Sequence, residues 1–296
     1  MAAKRHSLIT ARGLGAAWFM AALHCPILMV DLRGADSATV TAAASATPNS
    51  DEPPSAEELD RPGEVENPFS LSPGTAQLVS YVLAANGQAR EDEDLGNGGG
   101  AVILQTGVRF GLPPGWEGQI FCDSYLNAID KGPDGDDPGR ARAGLGSVTL
   151  RAKAQVLGNS SSEDGLALVP FVRFSIDNAL TGSAGAEPGL IVPFNVDLEH
   201  GWELQGSTGL TVGHGDDGGH VIDWETQMSL EWHFATRWSV YVEPELDVGE
   251  GQPRWAMEQG FTVFLSRRWQ LDLGFNTGLN RHSNGRFGYI GSGVMF

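Results

Sequence analysis

From Trp269 the chain alternates apolar and polar residues. Trp269, Leu271, Leu273, Phe275, Thr277 and Leu279 fall on one side, and Gln270, Asp272, Gly274, Asn276 and Gly278 on the other. A period of two is that of a strand with two different faces, and no helix produces it. The stretch from Ile222 repeats the pattern, with Ile222, Trp224, Thr226, Met228, Leu230, Trp232 and Phe234 set against Asp223, Glu225, Gln227, Ser229, Glu231 and His233. Runs of about 10 to 13 residues exceed the strands of ordinary soluble sheets and suit a tilted crossing of a bilayer.

Read along the chain, the alternation predicts strands at 75–85, 100–110, 116–128, 144–156, 165–176, 189–198, 202–213, 221–234, 238–249, 253–265, 269–280 and 286–296. Connections after even-numbered strands are mostly tight (GLPPG, EHG, ATR, SRR). Several after odd-numbered strands are long and rich in Gly and Asp, as in DKGPDGDDPGRARA. Short turns at one end and long loops at the other are the pattern of an outer-membrane barrel. An even strand count places both termini at the short-turn, periplasmic end; LGNSSSEDG, after the fourth strand, is long for such a turn. The expected fold is therefore all-β: an antiparallel transmembrane barrel of about twelve strands over residues 75–296. Pro170, Pro193 and Pro244 fall inside strands, and β-bulges are expected to absorb them.

Composition adds the compartment. Lys4, Arg5 and Arg12 precede the apolar run GLGAAWFMAALHCPILMV, the layout of a secretory signal peptide, so residues 1–46 are assigned to a leader and its cleavage region. Its removal leaves Cys122, predicted to face lipid, as the one cysteine, without an intramolecular partner. Residues 47–74, rich in Ala, Ser, Thr, Pro and Glu, show no periodicity and are expected to form a disordered periplasmic tail. The final strand ends on Phe296, the kind of aromatic terminus a barrel presents to its insertion machinery. A net charge of −18 argues against nucleic-acid partners, leaving outer-membrane lipid and a small-molecule solute.

Trp116, Trp202, Trp238 and Trp269 each open an odd-numbered strand just after a tight turn, where indoles would make an aromatic girdle. The opposite faces line the lumen. Asp197, Glu203, Asp223, Glu225, Glu231, Glu243, Glu245, Asp247, Glu258 and Asp272 come from strands six to eleven; Arg109, Arg151, Lys153 and Arg173 come from strands two, four and five. An acidic wall facing a more basic one sets a transverse field and, with acids in excess, favours cations. The lumen residues expected to set selectivity are Glu225, Glu231, Glu243, Glu245, Glu258 and Asp272 opposite Arg109, Arg151 and Lys153. Opposite charges that paired would instead fill the lumen with side chains.

Two stretches, DRPGEVENPFSLSPGTAQLVS (Asp60 to Ser80) and WQLDLGFNTGLNRHSNGRFGYIGSGVMF at the carboxy end, resemble the outer-membrane transporter-like barrels named for the meta-pathway of phenol degradation. The resemblance covers about residues 60–296. It implies a barrel that passes small compounds, aromatic or hydrophobic ones among them, and brings no catalytic residues.

Other chemistry is weaker. Arg281-His282-Ser283-Asn284-Gly285 resembles the His-x-Ser-Asn-Gly stretch of outer-membrane phospholipases, but adjacent strand residues point to opposite faces, and Ser-Asn-Gly makes a turn. His214, Asp216, Asp217 and His220, and separately Asp130, Asp134, Asp136 and Asp137, read as solvated loops. No metal, cofactor or catalytic site is expected. A small-molecule channel is the leading reading, with a lipid-modifying enzyme and a non-conducting anchoring barrel as alternatives.

Overall fold

The computed structural model describes residues 59, 65–86, 100–128, 142–158, 164–176, 185–214, 219–249, 251–283 and 286–296. The leader, residues 47–58, the Asp130 to Asp137 cluster, Asp216, Asp217, Asn284 and Gly285 lie outside these residues.

Twelve strands form one closed antiparallel barrel: β1 (Ala76–Asn86), β2 (Gly100–Gly111), β3 (Trp116–Ala128), β4 (Arg142–Leu157), β5 (Gly165–Ser175), β6 (Ala186–Asp197), β7 (Trp202–His214), β8 (His220–Ala235), β9 (Trp238–Val248), β10 (Arg254–Ser266), β11 (Trp269–Gly278) and β12 (Arg286–Met295). Each strand pairs with the next, and β12 closes on β1 with Ser80 opposite Ser292. Closure satisfies every strand edge within the protein, the condition for a sheet to sit in lipid.

Alternation becomes inside and outside. Trp224, Met228, Trp232 and Phe234 of β8 are exposed on the outer surface, while Gln227, Ser229 and Glu231 between them are buried. On β3, Trp116 and Ile120 face out and Glu117 and Gln119 face in. Cys122 shares the outward parity of Trp116 and is half-buried.

The prolines produce no bulge of their own, contrary to expectation. Pairing between β4 and β5 passes from Arg151↔Phe171 to Ala154↔Leu168, and between β5 and β6 from Leu166↔Phe194 to Val169↔Ile191, with register unchanged. Pro170 and Pro193 lack the N–H for a rung, so the ladder skips a step without slipping. Pro244 leaves a similar gap between β8 and β9, flanked by Gln227↔Glu245 and Leu230↔Val242. Register shifts occur elsewhere, as at Asp123/Ser124 and Phe264/Ser266.

Residues 65–74 depart from the disordered tail expected of them. Val65, Glu66, Phe69 and Leu71 are buried before β1 begins, and so is Leu59. The segment enters from the end at which β1 begins and β12 finishes, the terminal end, where Ala76 and Phe296 exchange backbone hydrogen bonds. It lies against the inner wall of β2 to β5 as a plug. A Cβ at Gly165 would come within 2.7 Å of the Phe69 ring, and one at Gly111 would run into the Ser72 carbonyl oxygen. Bare backbone at those two positions is what lets the plug approach the wall so closely.

Candidate functional site

The lumen has two unlike walls. On β2 to β4, Arg109 grips Glu117 with two hydrogen bonds, Nε to Oε1 at 2.7 Å and Nη2 to Oε2 at 3.1 Å, and reaches Gln77 at 2.7 Å. Glu117 also accepts from the Leu71 backbone N–H of the plug at 2.8 Å. Lys153, fully buried, stands 2.7 Å from Glu66 Oε1 and donates to the carbonyls of Asn67 and Phe69. Arg151 meets the other oxygen of Glu66 at 3.1 Å and lies over the Phe121 ring. Gln119 donates to both carboxylates, and Gln155 holds Ser70. Burial opposes ionisation of Glu66, but the attraction of Lys153, Arg151 and Arg109 outweighs it and holds that carboxyl well below the usual carboxylate range.

The expected basic wall therefore does not face the acidic one across an open lumen. Its cations are answered locally by Glu117 of the wall and Glu66 of the plug. Neither glutamate was singled out from the sequence, although WEGQ already places Glu117 inward by alternation, between the strands that carry Arg109 and Lys153. Arg173, further along β5, stands 3.8 Å from Glu187.

The other wall is built differently. Strands β6 to β9 carry nine carboxylates, all at odd, inward positions, and no Lys or Arg. Towards the terminal end, buried charge is met by hydroxyls: Tyr241 and Thr262 donate to the two oxygens of Asp272 at 2.8 and 2.7 Å, Tyr289 donates to Glu258 at 2.7 Å, and Ser239 donates to Glu231. The phenol oxygens of Tyr241 and Tyr289 touch. Glu243 is buried directly opposite Glu258. Glu225 and Glu245 lie nearer the far end and are more exposed, with Asn276 donating to Glu245 at 3.2 Å. The structure thus puts all nine expected lumen residues on the inner face, but sorts them into a paired cluster and an acidic wall.

Trp116, Trp202, Trp238 and Trp269 stand on the outer surface at the terminal end, between 39% and 52% exposed. Trp232 joins them, stacked on Trp202 with centroids 5.4 Å apart. Trp224 and Trp255 occupy the other end. The phospholipase-like stretch forms no dyad: Ser283 Oγ bonds the Asn280 side chain and the Trp255 carbonyl, while Arg281 donates to His282 Nε2 at 2.9 Å. His214 and His220 face each other across β7 and β8 with rings 5.5 Å apart.

Residues 59–296, from the first described residue to the last, match the family model described as "Putative MetA-pathway of phenol degradation". The chain belongs to this family. Among solved structures, it is similar to an outer membrane channel from Pseudomonas putida F1, with 13% identity, a TM-score of 0.56, and coverage of 77% of this chain and 97% of that one. It is also similar to the NanC porin, with 8% identity, a TM-score of 0.50, and coverage of 74% and 98%. At these identities the likeness is one of fold: a barrel of the membrane-spanning type. No curated protein matches the sequence.

Proposed function

We propose that this family member is a bacterial outer-membrane channel for small molecules. The carrying observation is the separation of chemistry across its wall, with large apolar side chains outside and ionisable or amide side chains inside. Passage follows the acidic wall, because the plug occupies the side of β2 to β5. Glu225 and Glu245, the more exposed of the carboxylates, present negative charge to an entering solute and favour cations or the positive end of a dipole.

The family description supports small aromatic compounds as the solute class. No catalytic role is assigned to His282 or Ser283, since each is engaged by other groups.

Single-channel recording in a planar bilayer tests the reading. Discrete, cation-preferring steps are expected, and the paired changes Glu225→Gln and Glu245→Gln should move the reversal potential towards zero. A folded barrel that stays silent would sink the channel proposal, and an unchanged reversal potential would remove these two residues from it.

A further inference from the structure

The acidic wall contains one place where two carboxylates and an imidazole converge. Glu203 and Glu231 are direct partners in the ladder between β7 and β8, and His233 follows Glu231 by two positions on the same inward face. One ligand atom from each of the three lies within 4.8 Å of the others. His233 Nε2 is 3.4 Å from Glu203 Oε2 and 3.8 Å from Glu231 Oε1.

Three observations favour a cation at this place. Like charges directly opposite in a ladder repel, and here both carboxylates are largely shielded, with 13% and 6% of their side chains exposed. Strands β6 to β9 carry nine carboxylates and no Lys or Arg, so the local field is negative and attracts a cation. The spacing also suits an ion better than an imidazolium salt bridge. A charge-assisted hydrogen bond closes to about 2.7–2.9 Å, whereas a tetrahedral ion with bonds of about 2.1 Å holds its ligand atoms roughly 3.4 Å apart.

The surroundings resemble the support given to metal ligands. Gln205 donates to Glu203 Oε1 at 3.0 Å, Ser239 donates to Glu231, and the Phe264 ring stacks on the imidazole at 6.5 Å between centroids. Such contacts fix the orientation of each ligand before an ion arrives.

We propose that Glu203, Glu231 and His233 form a binding site for a divalent transition-metal cation of the zinc type, at the terminal end of the lumen. One imidazole and two carboxylates are a borderline ligand set that suits zinc, and three protein ligands leave one position for water or an anionic solute group. The site does not depend on the channel reading, since a barrel that conducts nothing would still bind the ion.

The test is titration of the full chain, folded in detergent, with zinc chloride against a competing chromophoric chelator at neutral pH. One tight equivalent is expected, weakened at least tenfold in each of His233→Gln, Glu203→Gln and Glu231→Gln, with heat-modifiable gel mobility confirming the fold. A variant with His214→Ala and His220→Ala, which removes the facing histidines at the other end, should keep that equivalent. Wild-type affinity in the three single variants would overturn the proposal, as would loss confined to the His214/His220 variant or no zinc bound by the folded wild type. Should the single variants fail to fold, cobalt(II) added to the wild type decides. Intense visible bands that zinc abolishes support the site, and a spectrum of the aquo ion alone overturns it.

Discussion

On the β2 to β4 wall, the buried Arg109 and Lys153 and the half-buried Arg151 are set against carboxylates; on the β9 to β12 wall, Asp272 and Glu258 are buried against phenols and a threonine. The first arrangement joins charge to opposite charge and needs a segment from outside the sheet, since Glu66 arrives on the plug. The second keeps its charge within the sheet and spreads it over neutral donors. The difference suggests a division of labour: one wall grips the plug, and the other retains the negative character that a passing solute would meet.

If the first wall is held by ion pairing, removing one partner should cost most there. Lys153→Met keeps the length and apolar stem but leaves Glu66 and Glu117 with one cation fewer. Breaking a buried pair from one side costs about 3–5 kcal/mol. Urea unfolding of the barrel in detergent should show a loss of that size, and the plug should become accessible to protease. A loss below about 1 kcal/mol, the usual worth of an exposed pair, would mean that the plug is seated by Phe69 and Leu71 rather than by charge.

The hydroxyl-supported wall should respond less. Tyr289→Phe removes the donor to Glu258 and the contact with Tyr241 while keeping the ring that lies over Gly274. Leaving a buried acceptor short of one donor costs about 1–3 kcal/mol, so the unfolding midpoint should fall by less than in Lys153→Met. An equal or larger fall would reverse the comparison and make the tyrosine network the stronger support.

The sequence was informative where the structure depends on local periodicity. Outward indoles and inward carboxylates at Trp224/Glu225 or Trp269/Gln270 follow from a period of two, and strand limits agree to within a few residues because tight turns bracket them. The plug was not legible in this way. VENPFSLS is too short and too broken by Pro68 to show a strand run, and its order comes from Lys153, Glu117 and Gln155, which lie far along the chain. One signal was present: Arg109, Arg151 and Lys153 point inward on strands flanking β3, and its two inward carboxylates, Glu117 and Asp123, cannot balance three cations. The metal-type cluster escaped for the opposite reason. Alternation puts Glu203 on the acidic wall, but only the β7–β8 register brings it beside Glu231 and His233.

The comparison is sharpened last by the smallest effect, an expected absence of change. Glu66 is held below its ordinary value of 4.5 by the three cations around it. A carboxyl whose folded value is depressed contributes stability that is fully present above the unfolded value and is lost as pH falls through the folded one. The plug should therefore stay docked from pH 8 down to about 5, and should loosen only well below 4.5, once Glu66 begins to take up a proton. Protease sensitivity of residues 65–74, followed against pH, reads this directly. Release between pH 5 and 6 would show that a group other than Glu66 governs seating, and that the cation cluster does not hold this carboxylate as tightly as its geometry indicates.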